Sequence, residues 1–124
     1  MRLHPQVVVV AEDELFIRIL ASDALIDAGF TVIQAQHAEH ALNLLETHAQ
    51  TVGVLFTDIH MSGTMDGLQL ARHATGRWPW IAVLLTSGLA APAAHELPEG
   101  GRFLPKPYNP AHAVRHIREL IGGN

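Results

Sequence analysis

Five short apolar runs alternate along the chain with stretches of helical spacing. The runs are Val7-Val8-Val9-Val10-Ala11, Phe30-Thr31-Val32-Ile33 with Gln34 and Ala35, Val52-Gly53-Val54-Leu55-Phe56, Ile81-Ala82-Val83-Leu84-Leu85, and Arg102-Phe103-Leu104. The first, third and fourth are apolar on both faces, as central strands of a parallel sheet covered on both sides are. Helical spacing fills 14–28, 38–47, 66–75 and 109–121. The first carries Ile17, Leu20, Ala21, Ala24 and Ala28 as its expected core stripe and stops at Gly29. Asp66 and Asn109 stand at N-cap positions, and Pro110 suits the first turn of the last helix. The segment 88–101, GLAAPAAHELPEGG, carries two prolines, so any helix there is short, near 93–97, or absent.

Alternating strands and helices predict a doubly wound α/β sheet with right-handed crossovers. Five strands favour the flavodoxin-like parallel order 2-1-3-4-5, with a short or missing helix before the fifth strand. Sheets of this kind place ligands beyond the carboxyl ends of their strands, at the switch point between strands one and three. A chain of 124 residues has the size of one domain. With 48% apolar residues it can fill a core.

The strand ends carry the candidate chemistry. Strand one runs into Glu12-Asp13-Glu14, strand three into Thr57-Asp58, strand four into Thr86-Ser87-Gly88, and strand five into Pro105-Lys106-Pro107. In this topology all four ends meet at one edge. Crowded carboxylates repel one another unless a cation sits among them. Mg²⁺ takes one or two carboxylates together with water and phosphate oxygens. An aspartate can attack phosphorus, and a lysine and a metal can neutralise the transferring oxygens. Lys106 is the only lysine. Taken singly, Asp13 reads as a helix cap and Asp58 as a turn residue; the joint pattern favours the chemical reading.

The set Val8-Val9-Val10-Ala11-Glu12-Asp13-Glu14, Thr57-Asp58-Ile59-His60-Met61-Ser62-Gly63-Thr64-Met65-Asp66-Gly67, Leu85-Thr86-Ser87-Gly88 and Phe103-Leu104-Pro105-Lys106-Pro107 resembles the receiver domain of bacterial two-component response regulators. The resemblance covers almost the whole chain, read as a single receiver domain over 1–124 of the stand-alone type. It implies Asp58 as the phosphorylated aspartate, Asp13 as a direct Mg²⁺ ligand, and Glu12 as its neighbour acting through water. It further implies the His60 backbone carbonyl as the third protein ligand, Lys106 as the phosphate-binding lysine, Ser87 as the switch hydroxyl, and Phe103 as the aromatic that reports the state. The implied partners are a histidine kinase or histidine phosphotransfer protein and a downstream protein target. Such a receiver catalyses its own phosphorylation and dephosphorylation without being a turnover enzyme in the usual sense.

The chain departs from that pattern in three places. Family members usually read Met-Pro-Gly-Met-Asp-Gly after the acceptor. Here Met61-Ser62-Gly63-Thr64-Met65-Asp66-Gly67 lacks the proline and has one residue more, which shifts the spacing and selects Ser87 over Thr86. The segment 88–101 is poor in helix signals. No output domain accompanies the receiver pattern.

Rival readings remain. A phosphorylation-independent interaction module could share the fold, although Asp13, Asp58 and Lys106 are intact. A phosphatase of the haloacid-dehalogenase type needs a second aspartate two residues after the nucleophile, where His60 stands. A flavodoxin needs a hydroxyl-rich loop after strand one. The pairs His37/His40 and His112/His116 read as solvated surface. Trp78 and Trp80 read as packing at the far edge from the site. Phe16, Ile19 and Ile26 fall outside the first helix's core stripe and form an apolar patch near the acidic cluster. The resemblance implies that a kinase or phosphotransfer domain docks there.

The net charge of −4 offers no basic footprint for nucleic acid. The absence of cysteine excludes disulfides and thiol chemistry. Residues 1–5 lack a long apolar stretch, and no run reaches a membrane span of roughly 20 residues. A cytoplasmic location, without membrane contact, is the expectation.

Overall fold

Alternation at a period of two sorts the strand residues between two helical layers. The computed structural model of the protein describes residues 7–122, so the leader reading of residues 1–5 lies outside them. The elements are β1 (Val7–Ala11), α1 (Leu15–Asp27), β2 (Thr31–Ala35), α2 (Ala38–His48), β3 (Val52–Asp58), α3 (Gly67–Arg77), β4 (Ala82–Ser87), β5 (Arg102–Pro105) and α4 (Pro110–Gly122). The strands form one parallel sheet in the order β2-β1-β3-β4-β5, as the pattern predicts.

Val9, Ala11 and Leu55 pack against Ala41 and Leu45 of α2 and Leu70 and Ala74 of α3. On the other face Val8, Val10, Val54 and Phe56 pack against Ala21 and Leu25 of α1 and Ala113 and Ile117 of α4. β3 is buried throughout, and burial of side chains of this kind stabilises by about 1.5–3 kcal/mol each. Trp78 joins the α2–α3 layer with Arg77 stacked on its ring. Trp80 donates its indole N–H to the Ala49 carbonyl.

The helix ends follow local chemistry. Asp66 caps α3 reciprocally with Gln69. The Asn109 side chain accepts the Ala111 N–H. The His37 ring accepts the His40 N–H at the start of α2, so this histidine pair is a helix cap. Gly29 follows α1 at φ +100°.

One expectation changes and one is met. The buried stripe of α1 is Arg18, Ala21, Ser22 and Leu25, whereas Leu20 is 61% exposed. Two apolar stripes compete on this helix, and the sheet covers the one whose arginine finds buried acceptors. Segment 88–101 holds a single 3₁₀ turn, Ala94–Glu96. Among the described residues, no helix is long and apolar enough to cross a membrane.

Candidate phosphoryl-acceptor site

The carboxyl ends of β1, β3 and β5 converge because β1 and β3 are neighbours at the switch point and β5 lies one strand beyond β4. One carboxylate oxygen from each of Glu12, Asp13 and Asp58 falls in a group within 4.8 Å. Glu12 and Asp58 are buried and Asp13 is exposed. The Lys106 ammonium lies 2.7 Å from Glu12 Oε1 and 2.8 Å from Asp58 Oδ2. The backbone N–H of Lys106 donates to the Ser87 carbonyl at 2.9 Å, which fixes the root of the side chain to β4.

Burial works against the Lys106 ammonium, but its hydrogen bonds to Asp58 and Glu12 and their negative charge prevail, and its pKa is raised. For Glu12 burial is the larger influence. It raises the pKa despite the opposing hydrogen bonds from Lys106 and the Glu14 N–H, and the Asp58 charge adds to the rise. The two directions agree on a desolvated acid and a strongly held cation.

Asp58 Oδ1 accepts the His60 N–H at 3.3 Å, and Asp13 Oδ2 accepts the Ser62 N–H at 3.2 Å. The His60 side chain is exposed. Three hard carboxylate oxygen donors at one solvent-reached edge suit Mg²⁺ in chemistry and number. Glu12, Asp13 and Asp58 are the residues that could hold such an ion, and their chemistry fits it.

Ser87 and Thr86 occupy opposite faces of β4. Thr86 pairs in register with Asp58, and with Glu12, Phe56 and Tyr108 it lines a cavity of about 10 Å³. Its hydroxyl is buried without a partner. Ser87 alternates onto the face of Val83 and Leu85, where Phe103 also packs, and its Oγ accepts the Leu89 N–H at 2.9 Å. Neither hydroxyl is hydrogen-bonded to the Asp58 carboxylate, but Asp58 lines the same cavity as Thr86, whereas Ser87 lies on the other face of β4.

Three residues of the neighbourhood, Arg18, Tyr108 and Glu39, were missed by the sequence reading, which weighed Thr86 and set it aside for Ser87. Arg18 donates to the Glu12 carbonyl at 2.8 Å and to Gln34 at 3.1 Å. Its spacing with Ala21, Ser22 and Leu25 was the available signal. Tyr108 stacks on Phe56 with centroids 5.7 Å apart. Burial, then the Glu12 charge, push its phenol up to about 12. Glu39 holds the loop after β3. No spacing rule marks Tyr108 or Glu39.

Comparison with known proteins agrees with this geometry. Over 117 residues, 92% of this chain, it is 32% identical to the sensor kinase CckA of Brucella abortus, of which it spans only 12%. It is 30% identical to the response regulator receiver protein CpdR of the same organism, covering 95% of that protein. Among solved structures, a response regulator receiver protein from Sinorhizobium medicae superposes with a TM-score of 0.87 at 27% identity, covering 94% of each chain. The receiver domain of the hybrid histidine kinase CckA does so at 0.80 and 29%, covering 93% of this chain and 98% of that one. Residues 8–118 match the response regulator receiver domain, and the chain therefore belongs to that family of two-component proteins.

Proposed function

We propose that the chain acts as a single receiver unit that takes a phosphoryl group onto Asp58 from a phosphohistidine partner, a histidine kinase or a histidine phosphotransfer protein. The observation that carries this reading is the Lys106 ammonium held 2.8 Å from Asp58 inside the carboxylate trio. An Asp58 carboxylate oxygen forms the new bond to phosphorus while the P–N bond of the donor breaks, and its electron pair stays with the imidazole. Lys106 supplies a positive charge for the incoming phosphoryl oxygens. The His60 N–H holds one Asp58 oxygen in orientation. Asp13 and Asp58, with Glu12 and the His60 carbonyl, would hold Mg²⁺, which would supply further charge neutralisation when bound. Thr86, whose unpartnered hydroxyl shares a cavity with Asp58, is the hydroxyl that turns to the finished phosphoryl group, in place of Ser87 on the opposite face of β4; the surface change serves signalling, a shuttle or a phosphate sink.

The exposed face of α1 supports a protein donor. Leu15, Phe16, Ile19, Leu20 and Ile26 are all uncovered. Ile17 and Leu20 also line a cleft of about 490 Å³ that reaches Lys106 and Tyr108. A contiguous apolar patch beside a reactive group is a docking surface, and the relationship to a hybrid histidine kinase supports a phosphohistidine donor.

Acetyl phosphate with Mg²⁺ tests the acceptor. Intact-mass spectrometry should show one added phosphoryl group on the wild type and none on Asp58→Asn or Asp13→Ala. Equal labelling of the Asp58 variant would overturn the assignment. Transfer profiling against histidine kinases then identifies the donor.

A further inference from the structure

The loop that joins β3 to α3 carries two of the backbone N–H groups that meet the acidic trio, those of His60 and Ser62. Its ends are tied by main-chain hydrogen bonds, Ile59 N–H to the Thr86 carbonyl and Gly67 N–H to the Ile59 carbonyl. Between these ties, besides the Asp13 bond to Ser62, one side chain outside the trio holds the loop. Glu39, in the first turn of α2, accepts through Oε2 the Thr64 N–H at 2.8 Å, the Met65 N–H at 3.1 Å and the Thr64 hydroxyl.

Its other oxygen, Oε1, lies 3.4 Å from His37 Nδ1. A Cβ built on Gly63, which sits at φ +117°, would come within 2.8 Å of that oxygen. A carboxylate that accepts several donors makes stronger bonds than a neutral acceptor. The N-terminal turn of a helix is a favourable place for its charge. The clamp grips the stretch that lacks the family's usual proline and carries the additional residue. Two residues before Thr64, the Ser62 N–H holds Asp13.

We propose that Glu39 is a positioning residue for the metal end of the site. By fixing Thr64 and Met65 it sets the loop conformation in which Ser62 orients Asp13 and His60 meets Asp58. The inference rests on the Mg²⁺ reading of the trio. It adds a remote residue that governs how well the trio binds the ion while touching neither ion nor phosphoryl group.

The test uses the ¹⁵N-labelled full chain as wild type, Glu39→Ala and Glu39→Gln. Without metal, the Thr64 and Met65 amides should exchange about tenfold faster in Glu39→Ala, the effect of losing one net hydrogen bond. Glu39→Gln keeps an acceptor oxygen and should fall between. Titration with Mg²⁺, followed at the Asp13 and Ser62 amides, should need about tenfold more ion for half-saturation in Glu39→Ala. It should be partly rescued in Glu39→Gln, with the metal-free melting temperature little changed. Equal amide exchange in wild type and Glu39→Ala overturns the clamp. Equal half-saturation in a wild type and a Glu39→Ala variant that both bind Mg²⁺ overturns the positioning role alone. A wild type that shows no Mg²⁺ response overturns the metal reading and this role with it.

Discussion

Lys106 Nζ sits 2.8 Å from Oδ2 of Asp58, with only 17% of the lysine side chain and 7% of the aspartate side chain exposed. The same ammonium reaches Glu12, so one cation balances two buried carboxylates. Lys106→Ala leaves them facing each other without a counter-charge. Breaking a fully buried pair costs about 3–5 kcal/mol; at this rim the expected loss is about 2 kcal/mol, or roughly 8 °C in melting temperature. Mg²⁺ should restore more of that loss in the variant than it adds to the wild type. Melting curves with and without Mg²⁺ decide this, and a variant as stable as the wild type would show the pair to be energetically idle.

Arg18 links α1 to the site. Its guanidinium holds the Glu12 carbonyl and Gln34 and is nearly buried. Arg18→Met keeps the apolar stem and removes the donors. The expected cost is about 2 kcal/mol, the range for hydrogen bonds made by charged groups. Urea unfolding should show a lower midpoint with an unchanged slope. No change in midpoint would mean that water replaces the guanidinium without loss.

The sheet and the acidic edge were legible in the sequence because their signals are redundant. β1, β3 and β4 are apolar on both faces, and each strand end carries a chemically distinct residue. The Asp66 cap was legible because Gln69 stands at the reciprocal position. α1 was misread because Ile17, Leu20, Ala24 and Ala28 have as good a helical spacing as Arg18, Ala21, Ser22 and Leu25. Periodicity assigns the buried face by hydrophobicity, and it cannot foresee that an arginine will find a carbonyl and an amide inside. Glu39 was hidden for a similar reason: its role arises from contacts with the loop after β3, distant from it in sequence. Thr86 was visible but set aside on spacing, which does not reveal which face of β4 meets Asp58.

Gly67 is the first residue of α3, and its N–H ties the Ile59 carbonyl at 2.8 Å. A Cβ there would lie 2.0 Å from the Asp58 carbonyl oxygen and 2.8 Å from the Ile59 Cα. Both obstacles are backbone, so relief requires α3 or the end of β3 to move. Gly67→Ala should therefore cost about 3 kcal/mol, the upper range for overpacking, and should depress labelling of Asp58 even at temperatures where the domain stays folded. Normal labelling of a stable variant would refute the requirement for close approach.

Tyr108 is the single tyrosine, so its ionisation can be followed by absorbance without interference. Burial, then the negative charge of Glu12, hold the phenol neutral until about pH 12, against an ordinary value of 10.0. The folded state therefore keeps a proton that the unfolded chain has released. Folding stability should fall as pH rises from about 10 towards 12. A titration midpoint near 10 in the folded protein would contradict the buried placement beside Glu12.

Segment 88–101 contains no buried residue and only one 3₁₀ turn, Ala94–Glu96. Its ties are short-range: Ser87 Oγ accepts the Leu89 N–H, Glu96 Oε1 accepts the Ala93 N–H, and the N–H groups of Glu96, Leu97 and Gly101 donate to carbonyls three residues back, while from outside Arg72 reaches the Glu96 carbonyl at 3.4 Å. Few buried contacts and few internal hydrogen bonds place a segment at the low end of local stability. A phosphoryl group on Asp58 adds about −1.5 to −2 charges and new acceptor oxygens. Thr86, unpartnered beside Asp58, can donate to those oxygens, and its movement shifts the end of β4 and resets the start of the segment. Hydrogen exchange across 88–101 should slow on phosphorylation while β1 and β3 barely change. Thr86→Ala should still accept phosphate but blunt the slowing, and Ser87→Ala should leave it intact. If the segment exchanges slowly beforehand and stays so afterwards, the switch does not run through it, and the exposed face of α1 around Phe16 and Ile19 becomes the output surface to test.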